Sequence, residues 1–389
     1  MAVNLTNADN ALKSIYLDAI SEQLNNKVNP LLAQIKRSSN NVWGKEVRQL
    51  AIYGVNGGIA AGTEEGDLPR SSGNNYAQFV VGLKNLYGTI EISDKAIRAS
   101  ENNAGAFVNL LNSEMEGLIK SSAFNFSRML FGDGSGELAH TFNVQGQTVK
   151  LDTVKNVVEG MIIDFRRSAG VEIEGCTARK ILAVDRNNKT ITVDGGALDT
   201  EAMTNGFITL QGSFLNEISG IKKIFSSSEL YGLNKSKNPW LNPHKNLSVG
   251  DISENIIQKM LDEIEEQSGE SVNFIVCSWG VRRALLDLYS SNKRFLDTME
   301  IAGGFKALSF NGIPVVADRF CEDGTMYLLN TNDFTLHQLC DWQWLEGDDG
   351  KILKQVAGKP VYTATLVKYA ELVCARPYAQ GMISGINEK

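Results

Sequence analysis

Between Asn103 and Phe131, apolar residues recur at helical spacing for longer than an ordinary globular helix allows. Phe107, Leu111, Met115, Leu118, Phe126 and Met129 fall on one stripe, and the run Gly132-Asp-Gly-Ser-Gly136 stops it. At 1.5 Å per residue the helix is roughly 40 Å long, against a mean of ~11–12 residues. Such a rod is a spine for the molecule. A second overlong element lies near the C-terminus, where Val361 to Cys374 alternates as a strand. Strands usually run ~5–6 residues. A chain of 389 residues built on two such elements divides into two or three domains.

The segments around the spine have distinct periods. Leu12, Tyr16, Ile20 and Leu24 make an amphipathic N-terminal helix that Pro30 terminates. A helix so near a terminus has to dock on something to stay ordered. Eight glycines then fall between Gly54 and Gly88, and the polar stretch from Gly62 to Asn75 has nothing with which to build a core. Strand-like runs flank it, Val47 to Tyr53 and Tyr76 to Ile92. Together they read as a long two-stranded arm with a mobile tip, which needs a surface to lie on.

Residues 137–215 switch to period two and read as a β-rich insert. Within it Asn187-Asn188 suits the positive φ of a tight hairpin. From Asp251 the pattern is α/β. Asp251 or Ser253 caps one helix that ends at Gly269, the strand Val272–Cys277 follows, and Ser278 opens a second helix. Further strands are expected at 313–317, 326–329 and 334–339.

Composition narrows the chemistry. Lys and Arg number 38 against 45 Asp and Glu, a net charge of -7, so the chain lacks the basic footprint of a protein that grips nucleic acid. Only three His are present, and His140, His244 and His337 are far apart without metal-ligand spacing. The five cysteines, Cys176, Cys277, Cys321, Cys340 and Cys374, are odd in number with no CxxC pair, as expected of reduced intracellular thiols. No stretch reaches the ~18 apolar residues of a membrane span, and the polar N-terminus lacks the order of a signal peptide. The Gly132–Gly136 cluster ends a helix and misses the dinucleotide spacing, so it reads as a helix stop and joint. The acidic run Asp262–Glu266 reads as a solvated helix face. Cys277 precedes a helix N-terminus, where a thiol can be activated, but no base partner is in sight. These residues call for no cofactor and no metal.

The order of these parts resembles the major capsid protein of tailed bacteriophages, the Hong Kong 97-type fold. Gly54-Val-Asn-Gly-Gly58 through Tyr76-Ala-Gln-Phe-Val-Val81 resembles that family's extended loop. Phe131-Gly-Asp-Gly-Ser-Gly-Glu-Leu138 resembles the exit of its spine helix, and Val158-Glu-Gly-Met161 with Asn216-Glu-Ile-Ser-Gly-Ile221 resembles the flanks of an insert. Phe310-Asn-Gly-Ile-Pro-Val-Val316 and Gly324-Thr-Met-Tyr-Leu-Leu-Asn330 resemble the axial strand pair. Leu372-Val-Cys-Ala-Arg-Pro-Tyr-Ala-Gln-Gly-Met382 resembles the closing strand.

The resemblance covers the whole chain. It implies an α+β capsid fold with an N-terminal arm (1–50), an extended β-hairpin loop (51–92), a peripheral domain with the spine helix (93–136) and a β-rich insertion domain (137–215). An axial α/β domain (216–345) and a return to the peripheral domain (346–389) complete it, with Ser290 to Ala307 around the five- and six-fold axes. The function implied is a non-enzymatic coat protein whose pentamers and hexamers form an icosahedral head around double-stranded DNA. Its partners would be a separate scaffolding protein and a portal, with assembly in the host bacterial cytoplasm and no membrane.

Glu64, Glu65, Asp67 and Arg70 at the hairpin tip are the expected intersubunit contacts. Gly57, Gly58, Gly132, Gly134 and Gly136 are the expected hinges, and Leu12, Tyr16, Ile20 and Leu24 the expected arm contacts. Lys84 lies near the returning hairpin strand, without an assignable cross-linking partner. The alternatives are a nanocompartment (encapsulin-like) shell and an α/β enzyme using Cys277 beside Trp342-Gln-Trp344.

Overall fold

The structure is a computed structural model and describes residue 24 and residues 29–95, 104–198, 205–291, 298–301, 305–348 and 350–388. Its centre is the return strand Val361–Cys374. Lys84–Ser93 pairs antiparallel with the first part of it, from Val361↔Ser93 to Ala370↔Lys84. Phe334–Trp344 pairs with the second part on the other edge, from Trp344↔Leu366 to Phe334↔Cys374. The short strand Lys36–Ser38 runs parallel to Phe334–Trp344 and closes that side. Residues 370–374 of the return strand are all buried, so this half has protein on both faces as well as on an edge.

The spine helix spans Ala104–Phe131 and lies on this sheet. Lys84–Ser93 alternates so that Leu86, Gly88, Ile90 and Ile92 turn inward against it. Gly88 is where helix and strand come closest: a Cβ there would stand 2.7 Å from Leu118 Cδ1. Met115, Leu118, Ile119, Phe126 and Leu130 are buried on the helix, and Phe126 meets Trp342 edge to face at 5.9 Å. The side chains of Phe107 and Leu111 lie outside the described ones. Trp342 and Trp344 are both buried, so they belong to the core and not to a cleft beside Cys277.

Tyr76 to Ile92, expected as one strand, is two. Asn75–Gly82 belongs to the hairpin and Lys84–Ser93 to the central sheet. The break falls at Leu83, whose N–H donates to the Lys45 carbonyl at the hairpin base. The chain changes sheet there without a turn.

Six strands between Glu137 and Leu210 close into a barrel around Val149, Ile163, Phe165, Ile191, Val193 and Ile208, all fully buried. In its hairpin, Asp185 Oδ1 accepts from the N–H groups of Asn187 and Asn188. The turn thereby becomes a longer Asx-type loop, and the positive φ falls on Lys189, at 54°, rather than on the Asn pair.

A mixed seven-stranded sheet follows the order His244–Asn246, Gly381–Ile383, Met326–Leu329, Phe274–Cys277, Ile313–Ala317, Phe305–Phe310, Thr298–Ile301. Helices Glu254–Ser268 and Trp279–Ser291 accompany it. Ser253 is the cap of the first, its side chain accepting from Ile256 N–H, and Gly269 ends it at φ 67°. The acidic residues Asp262, Glu265 and Glu266 face solvent while Ile264 is buried. Of the stretch 290–307, only 290–291, 298–301 and 305–307 lie within the described residues.

The expected boundary at residue 345 does not follow the sheets. Phe334–Trp344 is in the central sheet, whereas Gly381–Ile383 pairs with Met326–Leu329 and His244–Asn246 in the other. The chain passes from the seven-stranded sheet to the central one after Leu329 and returns after Cys374, because each sheet takes a strand from this part of the sequence.

One junction ties barrel, helix and central sheet together. As the chain leaves the barrel, Glu217 receives both arms of Arg128 from the spine helix, at 2.8 and 2.5 Å, with both side chains buried. Two residues on, Ser219 N–H donates to Glu371 Oε1 of the return strand at 2.7 Å. Glu371 also accepts from Leu372 N–H, but Oε2 is buried without a partner among the described residues. Desolvation outweighs those hydrogen bonds and pushes the carboxyl up to about 7.

Glu217→Ala should destabilise the subunit by about 3–5 kcal/mol in denaturant unfolding, because it leaves Arg128 charged, buried and unpaired. Replacing both residues by Leu and Met should recover most of that loss. Glu371 binds its proton more tightly in the native state than in the unfolded chain. Its contribution is therefore fully present below about pH 4.5 and is lost as pH rises through about 7. The stability difference between wild type and Glu371→Gln should change by up to about 3 kcal/mol across that window, measured by urea unfolding at each pH.

Candidate assembly surface

The hairpin pairs Glu46–Tyr53 with Asn75–Gly82 over eight positions, from Glu46↔Gly82 to Tyr53↔Asn75, with Val42–Trp43 added at its outer edge. Strand alternation gives it two faces. Val47, Ala51 and Phe79 are buried on one. Tyr53 stacks on Trp240 at 4.6 Å, Phe79 meets Tyr231 at 5.0 Å, and Val80 N–H donates to the Tyr231 carbonyl. The arm was expected to need a surface to lie on. Its base instead lies on residues 231–240 of its own chain, through aromatic contacts that polar-looking loop sequence did not announce.

The opposite face is uncovered. Leu50 is 60% exposed, Ile52 56% and Tyr76 52%, and Ile52 and Tyr76 are direct cross-strand neighbours. Past the strands, residues 54–74 form a narrow ribbon. Asn56 Nδ2 donates to Asn74 Oδ1, and Gly58 N–H donates to Asn56 Oδ1. Gly57 and Gly58 run beside Ser72 in this ribbon. Glu64, Glu65, Asp67 and Arg70 are exposed and form no ion pair among the described residues. Val55, Ile59 and Leu68 stand among them at 83%, 88% and 90% exposure. Burying a side chain of this size stabilises by about 1.5–3 kcal/mol, so the ribbon holds a strong drive toward association.

At the spine exit, Gly134 and Gly136 have φ of 86° and 81°. A Cβ at Gly136 would stand 2.6 Å from the Ser213 carbonyl oxygen, so this turn packs tightly on the barrel's last loop. Gly132 N–H closes the helix on Met129 O. Of the N-terminal residues, Leu12, Tyr16 and Ile20 lie outside the described ones. Leu24 is helical and fully buried in the main core. Asn29 then anchors the chain: its Nδ2 donates to Asp318 Oδ2 at 3.1 Å, and its Oδ1 accepts from Leu32 N–H. Burial pushes the Asp318 carboxyl up to about 6.

The residues weighed for catalysis do not converge. Cys277 is fully buried, and desolvation pushes its thiol up to about 12. Buried His337 is held between the Asn40 carbonyl and Gln49. Exposed His140 pairs with Glu137 at 2.6 Å. Lys84 Nζ donates to the Leu215 carbonyl at 2.6 Å. Among the described residues, no cluster of three or more His, Cys, Asp or Glu could hold a metal, and no helix is long and apolar enough to cross a membrane.

No family model and no curated protein matches the sequence. The fold does match solved structures. A chain of the Cyanophage A-1(L) capsid asymmetric unit is 11% identical, with 92% of this chain and 93% of that one covered at a TM-score of 0.55. A chain from the capsid of an empty GTA particle is 10% identical, covering 92% and 89% at a TM-score of 0.50. A chain of the holo-SrpI encapsulin complex from Synechococcus elongatus PCC 7942 is 8% identical, covering 92% and 89% at 0.49. The chain therefore has an α+β capsid fold, shared with structural proteins over nearly its whole length.

Four of the five cysteines are buried and Cys340 is half-buried, and all five are free thiols. With iodoacetamide on the folded protein, Cys340 should label first and Cys277 only after denaturation. Fast native labelling of Cys277, read by peptide mass spectrometry, would reinstate a nucleophile at that position.

Proposed function

We propose that this chain is the major coat subunit of a tailed-phage head, closing as pentamers and hexamers into an icosahedral shell around double-stranded DNA. The observation that carries the reading is a capsid fold whose hairpin leaves one full face and its tip uncovered. A lone subunit gains nothing from exposed Leu50, Ile52, Ile59 and Leu68, whereas a ring of subunits buries them on each neighbour. In this reading the central sheet and spine helix form the peripheral domain. The seven-stranded sheet forms the axial domain, with the stretch Ser290 to Ala307 at the symmetry axes, and the barrel is the insertion domain.

Glu64, Glu65, Asp67 and Arg70 make intersubunit contacts. Gly57, Gly58, Gly132, Gly134 and Gly136 are the joints that let identical chains adopt pentamer and hexamer geometry and change angle on maturation. The arm carrying Leu12, Tyr16, Ile20 and Leu24 docks on the inner side. A separate scaffolding protein guides closure, a portal occupies one vertex, and the shell assembles in the host cytoplasm. With a net charge of -7, the wall holds DNA without gripping it.

Purified alone or with its scaffold, the chain should form large closed particles in negative-stain micrographs. Deleting residues 62–73 should leave a folded subunit and abolish those particles. Small discrete oligomers under every co-expression condition would sink the shell reading, and particles filled with a protein cargo instead of nucleic acid would replace the phage head with a nanocompartment.

A further inference from the structure

A cavity of about 350 Å³ opens between the helix that begins at Trp279, the strands at Phe305 and Val316, and the chain entry at Asn29 and Pro30. Its floor is apolar, formed by Pro30, Phe305, Val316 and Ala317. Its rim is cationic. Arg282 lies over the Trp279 ring at 5.7 Å, with its Nε buried and unpartnered among the described residues. Arg319 lies between Phe124 and Phe320, 4.8 and 5.1 Å from their centroids. Lys306 stands exposed beside them. None of these three cations forms an ion pair among the described residues. The one acid lining the cavity among the described residues, Asp318, is buried and already accepts from Asn29 Nδ2 and Phe320 N–H.

Stacking an arginine on an aromatic ring fixes its plane and leaves its donors pointing outward, which suits a carboxylate or a phosphate. The apolar floor decides between them. The phosphate backbone of a duplex has no side chain to fill it, whereas a peptide with an apolar residue among carboxylates fills floor and rim together. This chain has such a peptide in Glu64-Glu-Gly-Asp-Leu68. Its three carboxylates form no ion pair among the described residues, and its leucine is 90% exposed.

We propose that the Trp279–Arg282–Lys306–Arg319 pocket of one subunit receives the Glu64–Leu68 hairpin tip of a second copy. Leu68 fills the apolar floor and Glu64, Glu65 and Asp67 meet the cationic rim. The contact is heterologous: donor and acceptor surfaces differ, so its repetition gives a ring where the rotation between copies closes. The proposal rests on the shell reading and adds the site on which the hairpin lands.

Two experiments test it. Particles assembled from a mixture of 15N-labelled and unlabelled chains are treated with a zero-length carbodiimide. The expected product is an isotopically mixed peptide pair joining Lys306 to Glu64, Glu65 or Asp67, and its absence from assembled particles overturns the proposal. In the second, Arg282→Glu with Arg319→Glu should lower particle yield about tenfold, the scale of lost interfacial charge pairs. Adding Glu64→Lys, Glu65→Lys and Asp67→Lys should restore it, with circular dichroism confirming a folded subunit.

Lys306→Glu alone, on an exposed side chain, should weaken assembly in the same direction without touching the core. Unchanged yield overturns the proposal. So does a loss that the tip reversal fails to rescue, which would hand the pocket to an acidic segment of another protein. If deleting residues 62–73 blocks particles while the pocket variants do not, the pocket assignment fails and the hairpin reading stands. If the deletion is harmless, both fall.

Discussion

The return strand Val361–Cys374 can be so long because its edges are shared between different partners. Lys84–Ser93 occupies one edge along its first ten residues, and Phe334–Trp344 occupies the other along its last nine. The two partners overlap only between residues 366 and 370, so the strand splices two shorter ladders into one continuous sheet. It thereby joins two strands that lie more than 240 residues apart in sequence. The spine helix then has a sheet as long as itself to lie on. The Gly88–Leu118 approach shows how closely the two are fitted.

The same strand carries one of the points at which the appended barrel is fixed, Lys155 to Asp323 being another. Glu371 accepts from Ser219 N–H, and Glu217 holds Arg128, within a three-residue span of chain. A buried bidentate ion pair is a poor source of net stability, because desolvating both charges offsets most of their attraction. It is a strict selector of geometry, since any shift of the barrel relative to the helix strands two charges in a dry interior. Buried Glu371, with an oxygen unpartnered among the described residues, makes the junction sensitive to proton binding as well. In the proposed shell role the junction would carry force between domains, and a polar junction with one good arrangement does that better than a greasy one with several.

Periodicity made the regular elements legible. The spine helix, the alternation of the return strand and the Ser253–Gly269 helix all follow from local spacing, because each keeps one face buried along its length. The misreadings arose where tertiary partners decide. The break at Leu83 leaves no trace in the β-propensity of Tyr76 to Ile92, since both pieces are strands and only the sheet changes. The Lys189 turn depended on an Asp185 side chain claiming two backbone N–H groups ahead of it. The aromatic bed under the hairpin, Tyr231 and Trp240, lies in a stretch with no period at all. Of the candidate site, the acidic tip could be read directly. The pocket of Trp279, Arg282, Lys306 and Arg319 could not, since it draws on a helix and two strand ends that only the seven-stranded sheet brings together.

Charge and exposed apolar surface have to be weighed together in such a chain. An excess of acid keeps subunits apart in solution, while Leu50, Ile52, Ile59 and Leu68 pull them together. Association driven by apolar burial alone has no direction and ends in aggregates. Placing apolar residues of the tip among carboxylates gives direction to the proposed contact: a surface that buries Leu68 and also desolvates Glu64, Glu65 or Asp67 has to offer cations, because a buried unpaired charge costs more than one leucine returns. In the proposed contact, Arg282, Lys306 and Arg319, which form no ion pair among the described residues, supply those cations. In a protein with net charge -7, three cations clustered beside an apolar lining are the feature on which the proposed landing site rests.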